Sequence, residues 1–140
     1  MVRTRHEARR RMDAMRRVPL FAGCTHDQLA RIDQLGARID VPAGRTLTRE
    51  GAPGRECFVT LAGTAVASRD GAPVGVIGPG SIVGEMALLD DSPRTATVVA
   101  ATPMQLLVLD RREFARLLDI APSPAAALDR IVASRRTTGG

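Results

Sequence analysis

Residues 84–97 read Gly-Glu-Met-Ala-Leu-Leu-Asp-Asp-Ser-Pro-Arg-Thr-Ala-Thr and bring together groups that could hold an anion. Glu85-Met86-Ala87-Leu88 are good helix formers over one turn. The N–H groups of Met86 and Ala87 would therefore point outward from a helix N-terminus, where the local dipole favours negative charge. Gly84 ends a strand and permits close backbone approach. Arg94 lies at the entrance of the next strand and can return to the same spot, offering a fork of donors to two phosphate oxygens. A carboxylate beside that anion would be repelled, so Glu85 needs another task. Accepting a hydrogen bond from a sugar hydroxyl next to the phosphate is such a task. The competing reading of the same spacing is a surface Glu–Arg ion pair across a turn.

Other chemistry finds little support. A metal site inside a β-barrel needs several His and carboxylate ligands projecting from strands. The two histidines, His6 and His26, both fall on N-terminal helices. Cys57 has no histidine near it in sequence, His26 stands two residues from Cys24 on a helix outside the strand region, and no G-x-S-x-G elbow exists. The expectation is a binding protein, with no catalytic residues, metal or cofactor.

The elements that must position residues 84–97 separate by period. Residues 4–17 predict a helix with a stripe of Ala8, Met12 and Met15. Pro19 breaks it. Thr25 and Gln28 form a capping box ahead of Leu29, Ile32 and Leu35. From Gly36 to Leu109 short apolar runs alternate with glycine turns. They predict strands at 38–41, 45–49, 57–62, 64–69, 73–77, 81–83, 95–101 and 105–109. Eight short strands at this spacing point to a closed roll or barrel in which every edge has a partner. Asp110 and Glu113 cap a helix carrying Phe114, Leu117 and Leu118, and Pro122 interrupts it. Ser123-Pro124 opens a last helix to about Arg136, with Leu128, Ile131, Val132 and Arg135 on one side. The fold class is mainly β with flanking helices: an eight-stranded β-roll (jelly roll) with N-terminal helices and C-terminal lid helices.

With those elements in place, residues 84–97 resemble the phosphate-binding cassette of the cyclic nucleotide-binding domain family. That family supplies regulatory modules of cAMP-dependent kinase, cyclic-nucleotide-gated channels and catabolite activator protein. Its pattern runs F-G-E-(L/M)-A-L, a short loop, then P-R-(A/S/T)-A-T. Every position but the first is matched, by Gly84, Glu85, Met86, Ala87, Leu88, Pro93, Arg94, Thr95, Ala96 and Thr97. Val18-Pro19-Leu20-Phe21, Pro42-Ala43-Gly44, Arg49-Glu50-Gly51, Phe58 with Gly63, Gly78-Pro79-Gly80 and Asp110-Arg111-Arg112-Glu113-Phe114 extend the likeness over residues 18–136.

The resemblance implies a site. Arg94 would pair with the cyclic phosphate, assisted by Thr95 and the Met86 and Ala87 backbone. Glu85 would accept the ribose 2′-hydroxyl, and Gly84 would leave room for the sugar. Ala67, Ile77 and Val83 would line the purine pocket, Val83 departing from the phenylalanine that many members carry. Leu128, Ile131, Val132 and Arg135 would form the lid, Arg135 standing where channel-type members place a lid arginine. The same four residues also fit an ordinary amphipathic helix packed on the roll. The ligand implied is cAMP. Thr95, found in guanine-binding members, keeps cGMP as the alternative.

Charge bounds the partners. All 20 basic residues are arginine, and the net charge is +5. Residues 1–17 hold seven arginines against Glu7 and Asp13, a surplus that equals the whole of it; the remaining thirteen arginines face thirteen acids. The division expected is a basic helical arm at 1–17, a nucleotide-binding domain at 18–136 and a flexible tail at 137–140. The arm could bind nucleic acid phosphates or an acidic partner. It reads better as a solvated helix docking through Met12 and Met15, so nucleic acid is not an expected partner. No apolar run approaches the 18 residues of a membrane span, and two cysteines outside any CxxC pattern fit a reduced, cytoplasmic protein. About 15 residues after Pro124 leave no room for an effector domain. The protein would then be a stand-alone sensor acting on an effector in trans, or pairing with a second copy through its terminal helices. The rival expectation is a roll that binds no nucleotide and serves as an interaction scaffold through its arm.

Overall fold

The computed structural model describes residues 5–121, and the element order follows the sequence periods closely. Helix α1 spans Arg5–Arg16, a 3-10 turn spans Pro19–Phe21, and α2 spans His26–Asp33. Then come β1 (Ala37–Val41), β2 (Thr46–Thr48), β3 (Glu56–Ala62), β4 (Ala65–Arg69), β5 (Ala72–Ile77) and β6 (Ile82–Val83). Helix α3 (Glu85–Asp90), β7 (Thr97–Ala100), β8 (Met104–Asp110) and α4 (Arg111–Ile120) complete it. The last predicted helix, with Leu128, Ile131, Val132 and Arg135, lies outside the described residues.

The strands form two four-stranded antiparallel sheets, ordered β1-β8-β3-β6 and β2-β7-β4-β5. Alternation along β3 shows how one strand serves two cores. Cys57, Val59 and Leu61 face the helices, joining Met15, Phe21, Leu29, Leu109, Phe114 and Leu117 in one cluster. Phe58 faces the other sheet, in a second cluster with Val83, Val98, Met104 and Leu106. A strand buried on both faces reads as a near-continuous apolar run, as Cys57–Leu61 does with Thr60 its one polar residue.

Both predicted capping boxes are present. Thr25 Oγ1 accepts from the Gln28 N–H at 3.1 Å, and Gln28 Oε1 accepts from the Thr25 N–H at 2.8 Å. Asp110 and Glu113 repeat the arrangement at 2.8 and 2.9 Å. Helix α1 docks through Ala14 and Met15, both buried, with Met12 packed beside them. Arg11 adds an ion pair to Asp33 at 3.3 Å.

Two expectations need correction. The roll does not close on itself: each sheet keeps two edge strands, so the expected pairing of every edge is not met. β6 is only two residues long before Gly84 diverts the chain, and β5 presents Val74 and Val76 to solvent. The strand predicted at 95–101 begins at Thr97. The carbonyls of the two preceding residues are engaged by side chains: that of Thr95 accepts from Arg69 Nε and that of Ala96 from Thr48 Oγ1, both at 2.9 Å.

Candidate functional site

Gly84 leaves β6 and becomes the N-cap of α3 in the left-handed conformation, with φ of 87°. Few residues other than glycine adopt that backbone without strain. The turn brings α3 against the Glu56–Phe58 end of β3, and Arg94 reaches across the gap. Arg94 Nη2 donates to the Glu56 carbonyl at 2.7 Å, and Nη1 donates to the Gly84 carbonyl at 3.3 Å. Its Cζ lies 5.9 Å from the centroid of the Phe58 ring, within cation–π range. A guanidinium carries five N–H donors, so anchoring on two carbonyls does not exhaust it.

Two glycines make this position possible. A Cβ at Gly84 would collide with Arg94 Nη1. A Cβ at Gly54 would collide with the Ala87 methyl and stand 3.0 Å from Arg94 Cζ and Nε. The side chains of Ala87 and Arg94 and the backbone of residues 54, 56 and 84 therefore meet in one place. Glu85 is fully buried beside them, which excludes the surface ion pair that its spacing from Arg94 could have meant.

Electrostatics tie the same groups together. Burial, and then the Glu85 carboxylate, push the Cys57 thiol far above its ordinary range, with Arg94 acting in the opposite direction. Burial holds Arg94 below its usual value, opposed by Cys57, Glu56 and Glu85. An arginine stays protonated under such a shift, so the site keeps a fixed positive charge at its floor.

The three residues expected around a purine share the inter-sheet cluster. Val83 is buried and pairs with Phe58 across β6 and β3. Ala67 on β4 sits between Gly75 and Val98, and Ile77 on β5 pairs with Ala65. Ala67 and Ile77 pack on the margin of the cluster that holds Val83 and Phe58. Of the other expected site residues, Gly84, Glu85, Ala87 and Arg94 converge. Thr95 is exposed in the bend before β7, and Met86 lies on the first turn of α3. The four lid residues lie outside the described residues.

Three participants were missed by the sequence reading: Gly54, Phe58 as the ring under Arg94, and the Glu56 carbonyl. Pro53-Gly54 signals a turn, but a glycine's type does not say what approaches it. A backbone carbonyl leaves no trace in sequence. Beyond the cassette, Arg111 at the start of α4 donates to the Leu88 carbonyl at 3.0 Å and pairs with Asp91, fastening the end of α3 to α4. Among the described residues no group of three or more His, Cys, Asp or Glu could hold a metal ion, and no helix is long and apolar enough to cross a membrane.

Residues 38–120 match the family model described as the cyclic nucleotide-binding domain. A cAMP-dependent protein kinase regulatory subunit from Aspergillus niger is 39% identical over 103 residues, covering 72% of this chain and 25% of that protein. A cyclic nucleotide-gated potassium channel from Mesorhizobium japonicum is 36% identical over 119 residues, covering 85% of this chain and 33% of the channel. The chain thus spans a quarter to a third of the length of these curated relatives. Among solved structures, the N-terminal domain of a transcriptional regulator from Streptomyces coelicolor superposes with a TM-score of 0.72 at 37% identity, covering 91% of this chain and 92% of that one.

Proposed function

The chain belongs to the cyclic nucleotide-binding domain family, and we propose that it is a cAMP-sensing regulatory module whose C-terminal segment carries the signal onward. One observation carries the reading: a partly buried arginine, Arg94, is aimed across Gly84 and Gly54 at the start of α3, beside a buried glutamate. A fixed cation, a fork of donors and helix N–H groups suit a singly charged phosphodiester. The buried Glu85 suits a sugar hydroxyl, which it would accept as an uncharged donor.

In this reading Arg94 pairs with the cyclic phosphate, with the Met86 and Ala87 N–H groups and Thr95 supporting it. Glu85 and Gly84 hold the ribose. The base lies over Ala67, Ile77 and Val83, where apolar contact supplies affinity with little discrimination between purines. Closure of the segment holding Leu128, Ile131, Val132 and Arg135 would favour the bound state, a population shift driven by contacts made only when closed. The regulatory relatives favour a role in controlling an effector protein over a catalytic role of its own. We place the protein in the cytoplasm, acting in trans or as a dimer through its terminal helices.

Calorimetry on nucleotide-stripped protein tests this with cAMP, cGMP and linear AMP. The expected result is saturable binding of cAMP at one site, weaker binding of cGMP and none of AMP. Preference for cGMP would reassign the ligand through Thr95. Absence of heat with both cyclic nucleotides would reject the reading and favour a scaffold acting through the arginine-rich arm.

A further inference from the structure

Arg69, the last residue of β4, grips the cassette through a contact that the nucleotide-binding reading leaves unused. Its Nε donates to the Thr95 carbonyl at 2.9 Å. Thr95 follows Arg94 directly, so this bond holds the Thr95–Ala96 peptide, one residue beyond the phosphate-facing arginine. The next residue extends the attachment. The Asp70 N–H donates to Glu50 Oε1 at 2.9 Å, and the Glu50 N–H donates to Thr97 Oγ1 at 3.0 Å. The β4–β5 turn is thereby fastened at Thr95 directly and at Thr97 through Glu50.

The turn is a stiff anchor. Asp70 and Gly71 both have positive φ, 53° and 81°, and Arg69 pairs with Ala72 across them. Two left-handed residues between paired strands make the tight hairpin turn whose twist matches the sheet. Residues 95 and 96, by contrast, belong to no strand. Arg94 itself is held on both sides, its N–H donating to the Ala52 carbonyl and its carbonyl accepting from the Gly51 N–H, and the Arg69 bond holds the next carbonyl along, that of Thr95. The same strand carries Ala67, a candidate base contact, two residues before Arg69.

Resting on the reading of Arg94 given above, we propose that Arg69 is a positioning residue for nucleotide binding. It fixes the Thr95 peptide and thereby the approach of the Arg94 guanidinium, without touching the ligand. Loss of Arg69 lets residues 94–96 sample arrangements in which Arg94 does not face the phosphate. Apparent affinity falls in proportion to the competent fraction, so a drop to about one tenth weakens binding about tenfold.

The test is calorimetry with cAMP on wild type, Arg69→Ala, Arg69→Lys, Arg94→Ala and the Arg69→Ala/Arg94→Ala double variant. Expected are about tenfold weaker binding for Arg69→Ala, at least partial rescue by Arg69→Lys, and a double variant no weaker than Arg94→Ala alone. A merely structural role would lower the melting temperature and add to the Arg94→Ala loss. Wild-type affinity in Arg69→Ala, or additive losses in the double variant, would overturn the proposal. A ligand-free arm separates this inference from the site reading it rests on. Amide exchange at Gly51, Arg94 and Thr97 should quicken in Arg69→Ala even if no nucleotide binds, and unchanged protection would also overturn it.

Discussion

Replacing Gly54 by alanine adds one methyl group at the point where α3 and Arg94 are closest to the β2–β3 loop. Gly54 does not occupy the left-handed region, so the change is steric. The new Cβ collides with the Ala87 methyl, which has no rotamer by which to yield, so the first turn of α3 must move. It also stands 3.0 Å from Arg94 Cζ and Nε, inside ordinary carbon contact distance, so the guanidinium must shift as well. Overpacking of this kind costs about 1–3 kcal/mol of stability, which a domain of this size survives. The effect on ligand is larger in proportion. Displacing Arg94 weakens charge-assisted hydrogen bonds worth about 1.5–3 kcal/mol, a loss of roughly 10–100-fold in Kd for cAMP. Urea denaturation gives the first quantity and calorimetry the second. Gly44→Ala is the control: its φ of +89° imposes strain of about 1–2 kcal/mol, but nothing lies within 4 Å of the added methyl. It should therefore lose stability and keep affinity. Wild-type affinity in Gly54→Ala, or equal affinity losses in both variants, would refute the argument that steric room at Gly54 positions the site.

Cys57 should resist alkylation by iodoacetamide at pH 8 in the folded protein, while the half-buried Cys24 reacts, with both labelled after unfolding; mass spectrometry reads the sites. Because folding raises the Cys57 value, the unfolded chain loses the thiol proton first. Stability should therefore be unaffected by this group below about pH 8 and fall above about pH 9, by at most ~1.4 kcal/mol per pH unit. Cys57→Ala should lack that alkaline component of the denaturation profile. Asp110→Ala removes the cap of α4 and should lower stability by about 1 kcal/mol in urea denaturation. Arg111→Ala should cost no more than about 1 kcal/mol, because the Arg111–Asp91 pair is largely exposed.

Much of this organisation was legible because local chemistry and global fold agree. Asp70-Gly71 and Gly78-Pro79-Gly80 punctuate the strands where the turns stand, and Thr25 and Asp110 announce their helices through partners three residues away. The alternation in β3 and β8 shows which side chains share a face. What stayed hidden depends on contacts distant in sequence. Thr95 and Ala96 look like strand residues, yet their carbonyls accept from the side chains of Arg69 and Thr48, and β7 starts two residues late. Gly54 carries no mark that Ala87 and Arg94 approach it. The open edges at β5 and β6 follow from how two sheets stack, which periodicity along one strand does not encode. The cassette itself was readable because its residue types are demanding: a left-handed glycine, a buried acid and an arginine whose fork must reach back.

Nucleotide binding at this site turns on Arg94, and removing its side chain tests that dependence. Calorimetric titration of nucleotide-stripped wild type with cAMP should give a single site, and Arg94→Ala should weaken it by about 2–4 kcal/mol, because a phosphate charge would be left without its cation. Arg94→Lys, which keeps the charge but not the fork, should fall between the two. No cAMP binding by the wild type, or an Arg94→Ala protein that binds as tightly as wild type, would rule out Arg94 as the phosphate's partner.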